Sequence, residues 1–170
     1  MVKIMDNYKF LSESECEFYI KNVKKIGIEQ FRNYNKNVMN VYKIPIDKSY
    51  DNSQLQKEVI ESLQTKLISI LGPSYKLGHW IQIIEYLEGM YLKPHVDNIT
   101  EYPRWRTGLV LVSNSDEFDG GDFTLNGDII DLKKGNLNIL DATIPHGVSE
   151  IKRGKRYTLQ FPILTTSNLF

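Results

Sequence analysis

Hydrophobic residues recur at helical intervals in two segments of the first half of the chain. In each segment a serine, Ser12 or Ser53, stands three residues before a glutamate or glutamine, which is the spacing of a capping box. Each segment ends at a glycine, Gly27 or Gly72, a residue that often terminates helices. The pattern therefore predicts two amphipathic helices, with a β-strand over residues 38–46 between them.

After residue 75 the pattern changes to short apolar runs that are separated by Gly, Pro, Asn and Asp. This spacing is typical of an antiparallel sandwich or jelly roll, and helices that precede such strands favour an α+β fold with the helices packed on one sheet. We expect one domain over residues 1–170, with a helical support at about 10–72 and a β core at about 75–164. The predicted strands cover residues 79–87, 107–113, 122–125, 129–132, 136–140, 147–151 and 156–164.

Composition and charge exclude some classes of function. The chain is 41% hydrophobic and 25% charged, and its 21 basic and 21 acidic residues leave no net charge, which argues against a protein that wraps bulk nucleic acid but not against a local basic groove. Cys16 is the only cysteine, so no internal disulfide can form. No apolar run is long enough for a signal peptide or a membrane span. We therefore expect a cytoplasmic protein with no membrane partner.

His95 and Asp97 are candidate metal ligands, because residues two apart on an extended segment point to the same side. A third ligand is needed, and the other histidines are His79 and His146. With His146, which we expect just before a strand, the set becomes two histidines and one carboxylate, the facial arrangement of non-haem iron(II) oxygenases. A loop cap at His95 and a turn at Asp97 remain the alternative on spacing alone. His79 and Trp80 lie in a strand-like run and are expected in the core.

Arg156 is a candidate anion-binding residue. A turn over residues 152–155 would place Arg156 on a strand next to that of His146, and a buried guanidinium can hold a carboxylate in a planar fork. Thr158 would face the same side and offer a hydroxyl group. The alternative is that Arg156 is a surface residue in a basic turn.

Several motifs together resemble the prolyl 4-hydroxylase-like iron(II)/2-oxoglutarate dioxygenases, which include PKHD-type hydroxylases and oxygen-sensing prolyl hydroxylases. The resemblance covers about residues 80–164. The motifs occur in the family's order: Y86-x-x-G89, H95-V-D97-N98, R106-T-G-L-V-L-V-S113, F118-D-G120-G121-D-F123, G135, H146-G-V148 and G154-x-R156.

The resemblance implies a double-stranded β-helix, a distorted jelly roll. It implies that His95, Asp97 and His146 bind Fe(II) and that Arg156 binds the distal carboxylate of 2-oxoglutarate, with Tyr86 near this cosubstrate. For Tyr86, a core tyrosine at a strand edge is the alternative. Dioxygen would be the second cosubstrate, and ascorbate the reductant. Because Asp97 is retained, hydroxylation is favoured over halogenation. The oxygen-sensing enzymes have a second cosubstrate tyrosine, whereas residues 109–112 here carry no phenol.

The substrate that the resemblance implies is a prolyl residue in a peptide or protein. The alternatives are a free amino acid or another small molecule, a nucleic acid repaired by demethylation, and a binding module without metal. The demethylases usually have a second arginine where this chain has Pro162. Candidate substrate contacts lie in the loop at residues 98–106 and in the segment 31–43, and ordinary aromatic packing is the alternative for them. These candidates are Tyr102, Trp105 and Arg106 in the first segment and Tyr34 and Tyr42 in the second, with Leu140 and Ile144 as apolar walls.

Overall fold

The computed structural model describes residues 5–32, 39–101 and 104–166. Two helices, α1 (Glu13–Ile26) and α2 (Gln54–Leu71), lie among many short strands. The strands are β1 (Met5–Lys9), β2 (Ile28–Arg32), β3 (Met39–Pro45), β4 (Tyr75–Leu77), β5 (Trp80–Tyr86), β6 (Leu92–His95), β7 (Arg106–Leu111), β8 (Phe118–Gly120), β9 (Phe123–Leu125), β10 (Asp128–Ile130), β11 (Asn136–Leu140), β12 (His146–Val148), β13 (Ile151–Gly154) and β14 (Arg156–Thr165).

Both helices begin and end where the sequence predicts. The hydroxyl groups of Ser12 and Ser53 accept hydrogen bonds from the third residue of each helix, and the side chains of Glu15 and Gln56 accept from the serine backbone in return. Gly27 and Gly72 are the C-cap residues. The capping boxes satisfy backbone N–H groups that have no partner inside a helix. No helix in the described ranges has the length and apolar character that a membrane crossing requires.

The strands form a large sheet and a small sheet, with a separate two-stranded pair. The large sheet has the order β1-β11-β7-β14-β5-β3-β2, and β4 pairs with β14 outside this path. The small sheet has the order β10-β9-β12-β6, and β8 pairs with β13. Every pairing between these strands is antiparallel. This arrangement confirms the predicted jelly-roll-like fold with two helices.

The outer face of the large sheet packs under the helices. Leu63 and Leu67 of α2 belong to the same buried cluster as Ile81 and Ile83 of β5. The alternate residues of β5 face the other way, toward the small sheet, because successive side chains of a strand point to opposite faces. All seven residues of β5 are therefore buried. The helical layer supports the sheet from one side and leaves its other face for a cavity.

The structure corrects the predicted connection between His146 and Arg156. His146 lies inside a strand, β12, rather than before one, and the predicted strand over residues 147–151 is divided between β12 and β13. β12 pairs with β6 and β9 in the small sheet, whereas β14 pairs with β4, β5 and β7 in the large sheet. The predicted hairpin was wrong because residues 151–154 form β13, which pairs with β8 and carries the chain from one sheet to the other. His146 and Arg156 thus face each other across the sandwich.

Candidate active site

His95, Asp97 and His146 come together although 50 residues separate the first and last of them in the chain. β6 ends at His95, and the antiparallel pairing of β6 with β12 places His95 directly opposite His146. The backbone N–H of Asp97 donates to the carbonyl oxygen of Ala142, which fixes the segment after β6. Within the described part of the chain, this is the cluster of His, Cys, Asp and Glu side chains that could hold a metal ion.

The two imidazoles are oriented with Nε2 toward Asp97. His95 Nε2 lies 3.5 Å and His146 Nε2 lies 3.7 Å from Asp97 Oδ1. The ligand atoms of the three residues all lie within 4.8 Å of one another, so a metal ion between them would contact all three after an inward movement of the side chains. The Nδ1 atoms lie 3.0 Å and 2.8 Å from the carbonyl oxygens of Lys93 and Ile144. Because a carbonyl only accepts, Nδ1 carries a proton, and Nε2 is the atom that would bind a metal after losing any proton of its own.

Electrostatics also suit a cation between these groups. Burial alone would raise the pKa of Asp97, but its hydrogen bond to His95 and the charges of His146 and Arg104 hold that pKa below its usual range. The hydrogen bond to Asp97 raises the pKa of His95, whereas burial lowers the pKa of His146. The carboxylate is thus ionised, and it attracts positive charge on the side where the two imidazoles meet.

Arg104 is a site residue that the sequence reasoning missed. Its Nη1 lies 3.2 Å from Asp97 Oδ2, and the Thr107 hydroxyl donates to the same oxygen at 3.3 Å. The Arg104 side chain is 4% exposed, and its guanidinium lies 5.4 Å from the centre of the Trp80 ring. Oδ2 is therefore occupied by two donors, and Oδ1 is left to face the two imidazoles.

A cavity of about 630 Å³ connects these ligands to Arg156. The polar residues that line it include Gln82, Tyr86, Thr158 and Gln160 on the large sheet. The apolar lining comes from both sheets and includes Ile84, Leu92, Leu109, Phe123, Leu140 and Val148. Asn98 and Glu101 are exposed lining residues and mark the mouth.

Arg156 lies at the closed end of the cavity, where it is 2% exposed. Its guanidinium lies 5.5 Å from the centre of the Tyr86 ring and 6.0 Å from that of Phe118. Gly121 makes room for it, since a Cβ atom there would lie 2.9 Å from Arg156 Cδ, and Gly121 has a φ of +67° that favours glycine. The Arg156 Nη1 atom is buried without a hydrogen-bond partner among the described residues. Burial lowers the pKa of Arg156, because removal from water disfavours the charged guanidinium. A bound anion would offset this cost, so an anion at this position would be strongly favoured.

Two other predicted cosubstrate residues stand beside Arg156. Tyr86 pairs with Arg156 across β5 and β14, and Thr158 follows two residues later on the same face of β14. Burial raises the pKa of Tyr86 to about 12, so its phenol stays protonated and can donate a hydrogen bond. Leu109, in the stretch that carries no phenol, lines the cavity with an apolar side chain.

The predicted substrate contacts in the first segment are placed differently. Trp105 does not line the cavity. Its ring packs 5.0 Å from that of Tyr75 beside the helical core. The guanidinium of Arg106 lies 5.1 Å from the centre of the Trp105 ring, and its Nη1 lies 3.6 Å from Asp141. The reason is that the backbone N–H of Trp105 donates to the carbonyl oxygen of Ile163 just before β7 begins. This bond directs the Trp105 side chain away from the cavity. Tyr102 lies outside the described residues.

The remaining candidates divide between core and cavity. Tyr42 is 2% exposed in the core under the helices, so it does not form a lid, and Tyr34 lies outside the described residues. Leu140 lines the cavity as predicted, and Ile144 packs against the cluster behind it. His79 is exposed, so its placement in the core was wrong, whereas Trp80 is buried and lines the cavity.

Comparison with known proteins agrees with this geometry. Residues 81–162 match the model of the 2OG-Fe(II) oxygenase superfamily, and the match confirms the resemblance that the sequence motifs indicate. The matched stretch begins in β5 and ends in β14, so it includes the three candidate metal ligands and Arg156. A search of curated proteins found no match.

Solved structures share the fold at low sequence identity. A 2OG-Fe(II) oxygenase family oxidoreductase from Burkholderia pseudomallei has a TM-score of 0.71 at 15% identity, over 92% of this chain and 82% of that one. The viral collagen prolyl hydroxylase of Paramecium Bursaria Chlorella virus-1 has 0.66 at 19% identity, over 96% and 97%. HygX from Streptomyces hygroscopicus, solved with nickel, 2-oxoglutarate and hygromycin B, has 0.63 at 11% identity, over 94% and 81%.

Proposed function

We propose that this protein is an Fe(II)- and 2-oxoglutarate-dependent dioxygenase that hydroxylates an unactivated C–H bond and releases succinate and carbon dioxide. His95, Asp97 and His146 hold the iron, and Arg156 holds the distal carboxylate of 2-oxoglutarate. One observation carries this proposal. His146 Nε2 and Arg156 Nη1 are both buried without a hydrogen-bond partner among the described residues, and both line one cavity. A metal ion and a dicarboxylate would satisfy both atoms together.

The donor set fits iron(II). Two histidines and one carboxylate on one side of a metal leave positions open for a chelating 2-oxo acid and for dioxygen. When bound, the iron with these cosubstrates supplies the oxidation of the C–H bond. A closed set of four ligands, as in structural zinc sites, is not present among the described residues.

The protein's own groups orient the metal ligands and bind the cosubstrate. Lys93 and Ile144 fix the tautomer of the two histidines through their carbonyl oxygens, and Arg104 and Thr107 fix the carboxylate of Asp97. Tyr86 and Thr158 offer hydroxyl donors for the cosubstrate beside Arg156. The apolar side chains between the two ends exclude water, which strengthens these polar contacts and suppresses side reactions.

A prolyl residue in a peptide or protein is the leading substrate. It is supported by the motifs shared with prolyl 4-hydroxylase-like enzymes and by the likeness in fold to a viral collagen prolyl hydroxylase. A small free molecule is the second candidate, because HygX, which has the same fold, was solved with hygromycin B. A demethylase acting on nucleic acid gains no support, since the chain has no net charge and Pro162 stands where that family usually has an arginine.

The decisive test is mass spectrometry of proline-containing peptides and free amino acids incubated with the protein, iron(II), 2-oxoglutarate and ascorbate. We expect a mass gain of one oxygen on a prolyl residue, located by fragmentation, and an equal amount of succinate. Omission of iron or of 2-oxoglutarate and the His95→Ala variant serve as controls. Oxygen incorporation only into free amino acids would move the substrate to the second candidate. Absence of iron- and 2-oxoglutarate-dependent succinate with every compound would contradict the enzymatic function.

A further inference from the structure

The cavity extends beyond the region that the cosubstrate would fill. Arg156, Thr158 and Gln160 alternate along one face of β14, and all three line the cavity. Gln160 lies four positions after Arg156 along the strand, which corresponds to about 13 Å. The short chain of 2-oxoglutarate, held by its distal carboxylate at Arg156, does not reach the far end. The side chains near Gln160 are therefore available to another ligand.

Three long polar side chains lie next to one another at this far end. Gln82 pairs with Lys43 across β5 and β3, and with Gln160 across β5 and β14. Paired residues of neighbouring strands point to the same face and lie about 5 Å apart. We call Lys43, Gln82 and Gln160 the polar row. It crosses the inner face of a sheet whose outer face is apolar, so packing alone does not explain it.

Gln82 is the member of the polar row with an unmet hydrogen bond. The residue is 4% exposed, and its Nε2 is one of three buried side-chain polar atoms without a hydrogen-bond partner in the described ranges. The other two are His146 Nε2 and Arg156 Nη1, for which the proposed function provides a metal and a carboxylate. An unmet buried donor destabilises the fold, so its position in the wall of the cavity suggests a ligand.

Two described glutamines of α2 do not share this feature. Gln56 Nε2 donates to the carbonyl oxygen of Ile26 at 2.7 Å, and Gln64 Nε2 donates to that of Tyr75 at 3.2 Å. The first bond joins α2 to α1, and the second joins α2 to β4. Gln82 is thus distinguished from them by its missing partner and by its place in the cavity.

Two positively charged side chains lie near Gln82, and the carboxylates of Asp97 and Glu101 line the same cavity. Lys43 Nζ lies 5.8 Å from the centre of the Trp80 ring, and Arg104 lies on the same ring. Arg104 is paired with Asp97, but the Gln82 carboxamide N–H and the Lys43 ammonium suit a ligand oxygen that accepts hydrogen bonds. Such an oxygen belongs either to a main-chain carbonyl group or to a free carboxylate.

We propose that the polar row is a substrate-anchoring subsite, in which Gln82 donates a hydrogen bond to a carbonyl or carboxylate oxygen of the substrate near the carbon that is oxidised. The proposal rests on the proposed function for the choice of a prolyl compound. It assigns the Gln160 end of the cavity to the substrate and the Arg156 end to the cosubstrate. The two ends should therefore respond separately to substitution.

Binding can be measured without turnover. The chain has two tryptophans, Trp80 beside the polar row and Trp105 outside the cavity, so a Trp105→Phe background leaves Trp80 as the fluorescent reporter. The protein would be loaded with zinc(II), which has no redox chemistry, and with 2-oxoglutarate. The probes are a panel of proline-containing peptides with acetylated and amidated ends, which carry carbonyl groups only, and free proline, which carries a carboxylate.

We expect saturable quenching by at least one probe, and a Kd at least about tenfold higher in Gln82→Leu, because one hydrogen bond to a buried donor is lost. If the ligand oxygen is a carboxylate, Lys43→Met should weaken the binding of free proline more than that of the blocked peptides. If it is a carbonyl oxygen, Lys43→Met should change the Kd of both kinds of probe by the same small factor. Lys76→Met, on the exposed face of β4 outside the cavity, is the matched control. Thermal unfolding and the Kd for 2-oxoglutarate verify that the variants are folded.

The outcomes separate this subsite from the proposed function. No response to any probe, or an unchanged Kd in Gln82→Leu, overturns the subsite. If the variant weakens binding but the iron enzyme oxidises none of the probes, the subsite stands and the proposed function fails. If the iron enzyme hydroxylates a probe with the same KM in Gln82→Leu as in the parent, the function stands and the subsite fails.

Discussion

Along β5, Ile81 and Ile83 pack toward the helices, whereas Gln82 and Tyr86 line the cavity. Both faces of the large sheet are buried, but the outer face stabilises the fold and the inner face lines the candidate site. The outer face removes apolar surface from water, which stabilises the fold by about 25 cal/mol for each Å². The inner face carries buried polar atoms that have no hydrogen-bond partner among the described residues. Substitutions on the two faces should therefore separate stability from binding.

The two faces also differ in what covers them: the helices cover the outer face, and the small sheet covers the inner face. On the outer side, α2 contributes Val59, Leu63 and Leu67 to one apolar cluster with the sheet. On the inner side, the small sheet contributes His95 and His146 to a cavity with Arg156. A sandwich that leaves such a cavity loses packing between its sheets, so the helical layer has to supply the stability that the site does not.

The largest expected effect comes from removing a ligand of the inner face. His95→Ala or Asp97→Ala should reduce 2-oxoglutarate-dependent succinate formation to the background of metal-free protein, because two ligands do not hold a firm iron site. Succinate release is the measurement, with thermal unfolding as the check on folding. Normal turnover in either variant would exclude this triad.

Arg156→Ala should raise the KM for 2-oxoglutarate by about 30-fold or more. The loss of one partner from a buried charged pair costs about 2–5 kcal/mol, and each 1.4 kcal/mol is tenfold. The matched control is Arg153→Ala, since Arg153 lies three residues away and pairs with Asp119 on the surface. An unchanged KM in Arg156→Ala would place the carboxylate anchor elsewhere.

A substitution on the outer face should lower the stability of the fold and leave cosubstrate binding unchanged. Leu63 is fully buried in α2, so Leu63→Ala should lower the free energy of unfolding by about 2–5 kcal/mol. We expect the KM for 2-oxoglutarate to stay within twofold in the folded protein, because Leu63 belongs to the apolar cluster on the helical side of the sheet and does not line the cavity. Denaturant titration and steady-state kinetics test both parts. A large change in KM would show that the two faces are coupled.

The features predicted from the sequence are those that depend on local pattern or on motifs in order. Ser12 and Ser53 fix the helix starts through neighbours three residues away, so their capping boxes were predictable. His95, Asp97, His146 and Arg156 could be selected because their order along the chain resembles a known family. Their meeting in one cavity confirms that the selected side chains converge.

The features that were missed depend on pairing between distant strands. The crossing of residues 151–154 into a pair with β8 cannot be read from the turn at Gly154. Arg104, Trp105 and Arg106 are adjacent in sequence, and only the packing of Arg104 on Trp80 and Asp97 turns it inward. For the same reason an aromatic residue in this loop suggested a substrate contact, whereas Trp105 packs on Tyr75 outside the cavity.

Arg104 offers a smaller and sharper test of the inner face. Arg104→Gln should weaken iron(II) binding by about 10- to 100-fold, because groups that orient a metal ligand have effects of this size. Arg106→Gln is the matched control, since Arg106 lies outside the cavity against Trp105 and Asp141. Titration of the apoprotein with iron(II) under anaerobic conditions gives both affinities. Equal affinity in Arg104→Gln and the parent would mean that Thr107 alone orients Asp97.

The smallest expected effect lies in the helical layer and depends on pH. Burial alone would raise the pKa of Glu15, but the backbone N–H of Ser12 and the ammonium of Lys66, 3.0 Å away, lower it. Because the folded pKa is below the ordinary value of 4.5, the ionised form stabilises the fold above that pH, and the contribution is lost as the pH falls through the folded pKa.

Glu15→Gln should therefore cost about 0.5 kcal/mol at neutral pH, which is typical of a partly exposed ion pair. The free energies of unfolding of parent and variant should converge in acid, whereas Glu61→Gln, exposed on α2, should match the parent throughout. A constant gap between Glu15→Gln and the parent down to low pH would assign the effect to the shape of the side chain rather than to its charge.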